Sequence, residues 1–96
     1  RMSDAEAVAH LVTVRGIGRW TAEVHLLFSE GRRDIFPAGD LALRAAVAER
    51  LGMAERPPER DLAELAARWA PHRSVAARLL WHHWLHHTRR ATLDPA

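Results

Sequence analysis

Apolar residues recur along this chain at the spacing of helix faces. Within residues 20–28, one stripe follows the i, i+4, i+7, i+8 positions of a helix: Trp20, Val24, Leu27 and Phe28. A later segment, residues 62–69, repeats the pattern in the letters LAELAARW. No stretch alternates apolar and polar residues as a half-buried strand would. The pattern therefore predicts an all-α fold.

The first two predicted helices are delimited by a cap and by glycines. Ser3 and Glu6 form a capping box, so the first helix should begin after Ser3 and run to about Val12. The segment TVRGIGR, residues 13–19, then interrupts the helix with two glycines. We expect the second helix to follow directly and to end at Gly31.

Three further helices are predicted after a loop that reads RRDIFPAG. The third should begin at Asp40 and end next to Gly52. The fourth should stop at Pro71, which cannot continue a helix. The fifth should run from about Arg73 to about His87, followed by a frayed tail. The predicted architecture is a helix-hairpin-helix followed by three further helices.

Composition narrows the classes of chemistry that are open to the protein. The 96 residues suffice for one domain or a piece of one, and 48% of them are apolar. The absence of cysteine excludes disulfides, cysteine-held zinc and cysteine-bound iron–sulfur clusters, and it fits a cytosolic location. All 14 basic residues are arginines, so the chain has no lysine amine for Schiff-base chemistry. The net charge of +2 does not by itself indicate a nucleic-acid partner.

The Gly-Ile-Gly turn at residues 16–18 is a candidate for binding a phosphate group. Glycine permits positive φ angles and close backbone approach, and the N-terminus of the following helix attracts an anion. Ile17 should point inward and lock the turn. A plain helical turn that uses glycine only for its geometry is the alternative. The candidate DNA-binding residues are Arg15, Gly16, Gly18, Arg19 and Thr21.

Asp40 lies between the turn PAG and the apolar run LALR. Aspartate is a favoured helix N-cap, so a purely structural role is open. A carboxylate at this place could instead stabilise positive charge that develops on a substrate, or orient a water molecule. The two roles are compatible, because a helix N-terminus favours a negative charge.

Three segments together resemble the helix-hairpin-helix DNA glycosylase superfamily. They are VRGIGRWTAE at residues 14–23, DIFPAGDLALR at 34–44 and WAPHRSVAARLLWHHW at 69–84. Their order, and the spacing between the hairpin and Asp40, are similar to the alkylation-repair branch, DNA-3-methyladenine glycosylase II. The resemblance implies base excision, in which a damaged base is flipped out of the duplex and its bond to the sugar is hydrolysed.

The resemblance also implies roles for individual residues. Asp40 would be the catalytic carboxylate, the hairpin glycines would hold DNA phosphate, and Trp20 would line the base pocket. Bifunctional relatives carry a lysine where this chain has Trp20, so base release without strand cleavage is expected. Two further pocket positions depart from the family pattern, because they hold Val24 and His72.

The family implies partners as well. It requires no cofactor, but its members bind a monovalent cation, sodium or potassium, through hairpin carbonyls, which here would come from Val12, Val14 and Ile17. The expected partner is double-stranded DNA with alkylated bases, in the cytoplasm and nucleoid of a bacterium. Members also have an N-terminal helical portion, so we expect residues 1–96 to be a fragment that lacks it and that has an incomplete pocket.

Two other functions are open from the sequence. A non-catalytic helix-hairpin-helix module would grip the DNA backbone in a salt-dependent way and release no base. A helical interaction domain without DNA would bind no duplex even at low salt.

Several other polar and aromatic residues are interpreted as structural. Paired histidines on one helix can bind zinc or nickel, but no nearby carboxylate completes such a site. We interpret them as polar residues of a solvated helix end: His82 with His86, and His83 with His87. Three tryptophans are assigned to the core: Trp69, Trp81 and Trp84. Arg32 and Arg33 are interpreted as solvated, whereas Arg73 could contact phosphate, form an ion pair or lie in solvent.

Overall fold

The protein folds into helices joined by short loops. The structure, a computed structural model, describes residues 2–93 and the side chains of residues 2–86. Its helices are α1 (Asp4–Leu11), α2 (Arg19–Phe28), α3 (Leu41–Arg50), α4 (Glu59–Ala66) and α5 (Arg73–Leu93), with a 3₁₀ turn at Ala67–Trp69. No strand occurs within the described residues. The all-α prediction is confirmed.

Local sequence signals set the helix ends. The Ser3 hydroxyl accepts a hydrogen bond from the Glu6 backbone N–H at 3.1 Å, and the Glu6 carboxylate accepts one from the Ser3 N–H at 2.9 Å. Gly52 follows α3 with a φ of +67°, and the N–H of Met53 donates to the Ala48 carbonyl at 2.8 Å. The predicted capping box and the glycine end of α3 are both confirmed.

Helix α5 is longer than the sequence interpretation expected. It continues past His87 to Leu93, so the prediction of a frayed tail from residue 88 is wrong. No glycine or proline occurs between Pro71 and Leu93, so this segment contains no residue type that breaks a helix. The rest of the predicted tail, residues 94–96, lies outside the described residues.

The core lies between α2, α3, α4 and α5. Its fully buried side chains are Leu26, Leu27, Leu43, Val47 and Leu62. The apolar stripe predicted on α2 is only partly buried, because Trp20 is 48% and Phe28 is 52% exposed. Ala22, Leu26 and Leu27 form the buried face instead, and Trp20 and Phe28 lie on the edge of α2 that contacts Asp40 and α5.

The loop between α2 and α3 is fastened to the start of α5. The Ser74 hydroxyl donates to the Arg32 carbonyl at 2.7 Å and accepts from the Ile35 N–H at 2.9 Å. Asp34 binds the Arg73 guanidinium through both carboxylate oxygens, at 2.8 and 3.0 Å. Arg73 thus forms the ion pair that was one of its predicted alternatives. These bonds fix the loop that leads into Asp40.

One of the two loop arginines differs from its sequence interpretation. The Arg32 side chain is only 10% exposed and contacts Asp4 at 3.1 Å and Glu30 at 3.2 Å, so its assignment as a solvated charge is wrong. Its partners lie on α1 and in the adjacent turn, and the pairing closes α1 onto the loop. Arg33 is exposed, as expected.

The histidines of α5 lie on its outer and inner sides. The rings of His82 and His86 are exposed and stack with centroids 6.5 Å apart. His83 approaches α3, where its Nε2 lies 3.5 Å from a Glu49 carboxylate oxygen. The side chain of His87 lies outside the described set. Among the described residues no cluster of histidines and carboxylates has the size of a metal site, and no helix combines the length and apolarity that a membrane crossing needs.

Candidate active site

Asp40 caps α3. Its backbone is extended, and its Oδ2 accepts a hydrogen bond from the Leu43 N–H at 2.9 Å. The preceding turn is closed by the Asp40 N–H, which donates to the Pro37 carbonyl at 2.9 Å. The structural role that the sequence suggested for this residue is therefore real.

Two indole groups bind the same carboxylate. The Trp20 Nε1–H donates to Asp40 Oδ1 at 2.9 Å from α2, and the Trp81 Nε1–H donates to Oδ2 at 2.9 Å from α5. An N-cap needs only the bond from Leu43. Asp40 thus accepts donors from three different helices, which fixes the orientation of its carboxylate far more tightly than capping requires.

The two carboxylate oxygens of Asp40 accept different numbers of hydrogen bonds. Oδ2 accepts from Leu43 and Trp81, whereas Oδ1 accepts from Trp20 alone. Each carboxylate oxygen can accept about two hydrogen bonds, so Oδ1 keeps the larger free acceptor capacity. It is the oxygen better able to face a developing cation or a water molecule.

An open hollow of about 290 Å³ lies beside Asp40. It is lined by Trp20, Gly39, Asp40, Leu41 and Ala42. Trp20 is 48% exposed and Leu41 is 60% exposed, so the walls around the carboxylate are largely apolar and aromatic. A planar ring that carries positive charge suits such walls, because an indole face attracts cations.

The Gly-Ile-Gly turn places an uncapped helix end next to this hollow. Gly16 adopts a φ of +89°, and Gly18 is the extended N-cap of α2 without a side-chain cap. The first backbone N–H groups of a helix have no partner inside it, and together with the dipole they favour an anion. Ile17 is half-buried and packs against the core, as expected. Trp20, in the first turn of α2, links this end directly to Asp40.

The predicted phosphate-binding side chains gather at the same end. Arg15, Arg19 and Thr21 are all exposed, and the Arg19 guanidinium lies 3.6 Å from the Glu23 carboxylate. The proposed cation carbonyls belong to the same turn. Of these, the Val14 carbonyl accepts the Ile17 N–H at 3.1 Å.

Two predicted pocket positions are not brought to Asp40. Val24 is half-buried on α2 and His72 is exposed ahead of α5, and neither is among the residues that line the hollow. His72 lies instead near Asp34, and it makes a minor contribution to lowering the pKa of that carboxyl group. In the described part of the chain the hollow is thus formed by Trp20 and the residues around Asp40.

Trp81 is the site residue that sequence interpretation missed. It was assigned to the core, and its ring does pack against the buried cluster, but its N–H binds Asp40. A partly buried indole N–H requires an acceptor, and α5 supplies none among its apolar neighbours. That requirement was the available signal, although the sequence could not identify an acceptor 41 residues away. Trp69, by contrast, packs on Phe36 with ring centroids 5.6 Å apart and planes inclined by 44°, as a core residue should.

Glu23 is a buried acid on the other side of the Asp40 loop. It is 8% exposed, and burial raises its pKa to about 7, with a smaller raising effect from Glu59 and an opposing one from Arg19. The Glu59 carboxylate in turn packs on Gly39, where an added Cβ would lie 3.2 Å from it. Two carboxyl groups therefore share a confined region directly behind the turn that presents Asp40.

Comparisons with known proteins agree with this geometry. The alkylbase DNA glycosidase-like protein mag2 of Schizosaccharomyces pombe is 35% identical over 84% of this chain, which covers 38% of mag2. The probable bifunctional transcriptional activator/DNA repair enzyme AlkA of Mycobacterium tuberculosis is 44% identical over 78% of the chain, which covers 14% of AlkA. No protein-family profile matches the sequence.

A solved structure shares the fold. The 3-methyladenine DNA glycosylase Mag1 of Schizosaccharomyces pombe, in complex with abasic DNA, superposes with a TM-score of 0.79 at 36% identity. The match covers 84% of this chain and 39% of Mag1. The chain thus spans less than two-fifths of the length of these relatives.

Proposed function

This chain belongs to the alkylation-repair branch of the helix-hairpin-helix DNA glycosylase superfamily. We therefore propose that the protein of which it is part excises alkylated bases such as 3-methyladenine from double-stranded DNA. The observation that carries the proposal is the Asp40 carboxylate, held by donors from three helices beside an aromatic hollow. A cap alone does not explain that arrangement.

The proposed reaction is hydrolysis of the bond between base and sugar. The C1′–N bond breaks, the base leaves with the electron pair, and the sugar ring gains oxocarbenium character. A carboxylate about 4 Å from that cation stabilises it by roughly 4 kcal/mol at an effective dielectric of 20. This corresponds to about a thousandfold in rate. Water then adds to C1′ and loses its proton to solvent, which leaves an abasic site.

The tryptophans have separate tasks in this scheme. Trp81 and Trp20 hold the Asp40 carboxylate in one orientation through their N–H groups. The half-exposed face of Trp20 stacks on the extruded base and favours one that carries positive charge. Trp20 also stands where bifunctional relatives carry a lysine, and the chain has no lysine to attack the sugar. The proposed enzyme is therefore monofunctional and leaves the DNA strand intact.

We assign binding of the DNA backbone to the hairpin, residues 13–19. Gly16 and Gly18 let a phosphate approach the uncapped start of α2, and exposed arginines, Arg15 and Arg19, add charge. A monovalent cation held by the carbonyls of Val12, Val14 and Ile17 would add a positive charge to the turn. The Val14 carbonyl can still serve, because an oxygen that accepts one N–H keeps a second lone pair.

The relatives are longer than this chain, and the proposed N-terminal helical portion would correspond to part of that additional length. An N-terminal helical part of the same domain would complete the walls of the hollow, which is open in the described residues. The proposed place of action is the chromosomal DNA of the cell. Val24 and His72 would take part only if that portion drew them towards the base.

Product analysis tests the proposal. The intact protein is incubated with methylated duplex DNA, and free bases and strand length are measured separately. We expect free 3-methyladenine together with full-length strands that break only after alkaline treatment. Salt-dependent duplex binding without any released base would instead identify a non-catalytic DNA-binding module.

A further inference from the structure

Phe28 contacts the residue that holds Asp40. It is the last residue of α2, and its ring is 52% exposed. The ring stacks on the Trp81 indole, with centroids 5.2 Å apart and planes inclined by 27°. A side chain so exposed gains little from burial, and its main described partner is the indole that binds the carboxylate.

Arg78 also contacts the Phe28 ring. Its Cζ lies 4.9 Å from the centroid of the Phe28 ring. Its Nη2 donates to the Leu27 carbonyl at 3.0 Å, at the C-terminal end of α2. The guanidinium thus covers the phenyl ring while it is fastened to the helix that carries that ring. The Phe28 ring thus contacts both the Arg78 guanidinium and the Trp81 indole, and that indole donates to Asp40.

We propose that Phe28 is a positioning residue for base excision: by stacking on Trp81, it holds the indole N–H on Asp40 Oδ2. The inference rests on the proposed function, because it assigns Phe28 to the same reaction. Phe28 is not among the residues that line the hollow beside Asp40. It acts through Trp81, and Arg78 holds it in place.

The geometry explains why one ring matters. A tryptophan side chain turns about two single bonds, and its N–H stays on an acceptor only while the ring plane is fixed. On one face of Trp81 that plane is fixed by Phe28. When the phenyl ring is removed, the indole can tilt, and Oδ2 keeps the Leu43 bond alone. The carboxylate then samples orientations that do not face the sugar.

The expected effect lies on catalysis rather than on DNA binding. Phe28→Ala should slow single-turnover base release by about tenfold to a hundredfold, as a small misplacement of a catalytic group does. Affinity for the methylated duplex should be unchanged, because the hairpin is untouched. Phe28→Tyr keeps an aromatic ring and should restore the parental rate.

A spectroscopic signal tests the contact without any reaction. The indole N–H resonances of the intact protein are recorded by ¹H–¹⁵N correlation, and Trp81→Phe identifies the signal of Trp81. In Phe28→Ala that N–H should exchange faster with solvent and shift towards the position of a free indole. Leu79→Ala is the matched control, since Leu79 is 64% exposed on α5 and lies two residues from Trp81, on another face.

The outcomes separate the inference from the function. A Trp81 signal that does not change in Phe28→Ala overturns the inference, and so does an equal loss of activity in Phe28→Ala and Leu79→Ala. If the parent protein releases no base from methylated duplex DNA, the proposed function fails, whereas the Trp81 signal still reports on the stack. A changed signal with a selective loss of rate, rescued by tyrosine, supports the inference.

Discussion

The Trp81 indole N–H donates to Asp40 Oδ2 at 2.9 Å, between residues 41 positions apart in the sequence. Since the helix cap needs only the Leu43 N–H, this bond serves the orientation of the carboxylate. It connects α5 to the turn that begins α3, and it gives a measurable role to a tryptophan that would otherwise count as core.

Trp81→Phe removes that donor and keeps an aromatic ring for the stack with Phe28. A hydrogen bond to a charged group contributes roughly 1.5–3 kcal/mol, so base release should fall by about tenfold to a hundredfold. The loss of this bond should also lower the melting temperature by several degrees, so the rates are compared at a temperature where both variants are folded. Trp69→Phe is the control, because the Trp69 ring packs on Phe36 and the indole donors to Asp40 are Trp20 and Trp81. Equal activities of the two variants would contradict the role of Trp81.

Gly18→Ala should weaken DNA binding without a loss of stability. Gly18 has an ordinary φ of −88°, and an added Cβ would meet no atom within 4 Å, but the methyl group would stand where a phosphate approaches. Gly16→Ala, at φ +89°, should destabilise the fold by about 1 kcal/mol. Duplex affinity at several salt concentrations and thermal unfolding measure the two effects. Unaltered affinity in Gly18→Ala would argue against phosphate binding at the turn.

Glu23→Gln should change how stability depends on pH. Burial raises the Glu23 pKa from 4.5 to about 7. Between these two pH values the folded protein therefore keeps a proton on Glu23 that the unfolded chain has released. The contribution of Glu23 to the free energy of unfolding is fully present below pH 4.5 and is lost as pH rises through 7. At pH 8 the glutamine variant should be more stable than the parent, by on the order of 2 kcal/mol.

At pH 4 the free energy of unfolding of Glu23→Gln should equal that of the parent, because both side chains are then neutral in the folded state. Urea unfolding at the two pH values measures the difference. Glu64→Gln, which removes an exposed carboxylate from α4, is the control and should show no such crossover. A constant offset between Glu23→Gln and the parent at both pH values would show that the buried carboxyl does not titrate as described.

Asp34→Asn should loosen the loop that carries Asp40. The hydrogen bonds from Arg73 hold the pKa of Asp34 below its ordinary value, so its stabilising contribution is present above pH 3.8 and is lost as pH falls through the lower folded value. The variant should lose roughly 1–3 kcal/mol at pH 7 and less at low pH. An unchanged unfolding free energy at pH 7 would remove this pair from the account of the loop.

The sequence predicts those features that local chemistry determines. The capping box at Ser3, the left-handed Gly16 and Gly52, and the cap at Asp40 each depend on residues within a few positions of one another. Backbone geometry decides such features before any tertiary contact forms. The order of hairpin and carboxylate also indicated the family.

Features that depend on distant contacts could not be predicted. Trp81 meets Asp40, and Arg32 meets Asp4, only after the helices pack. On α2, helical periodicity predicts which apolar residues share a face, but it does not say which neighbour covers that face. Phe28 illustrates the point, since its ring lies at the helix edge on Trp81.

The most direct test of the central claim is the single-turnover rate of 3-methyladenine release by Asp40→Asn in the intact protein. Asparagine caps a helix as well as aspartate does, so the fold is kept while the negative charge is removed. Asp61→Asn, an exposed acid in the first turn of α4, is the control. We predict a fall of about a thousandfold for Asp40→Asn and the parental rate for Asp61→Asn. Base release by Asp40→Asn at the parental rate would contradict the account.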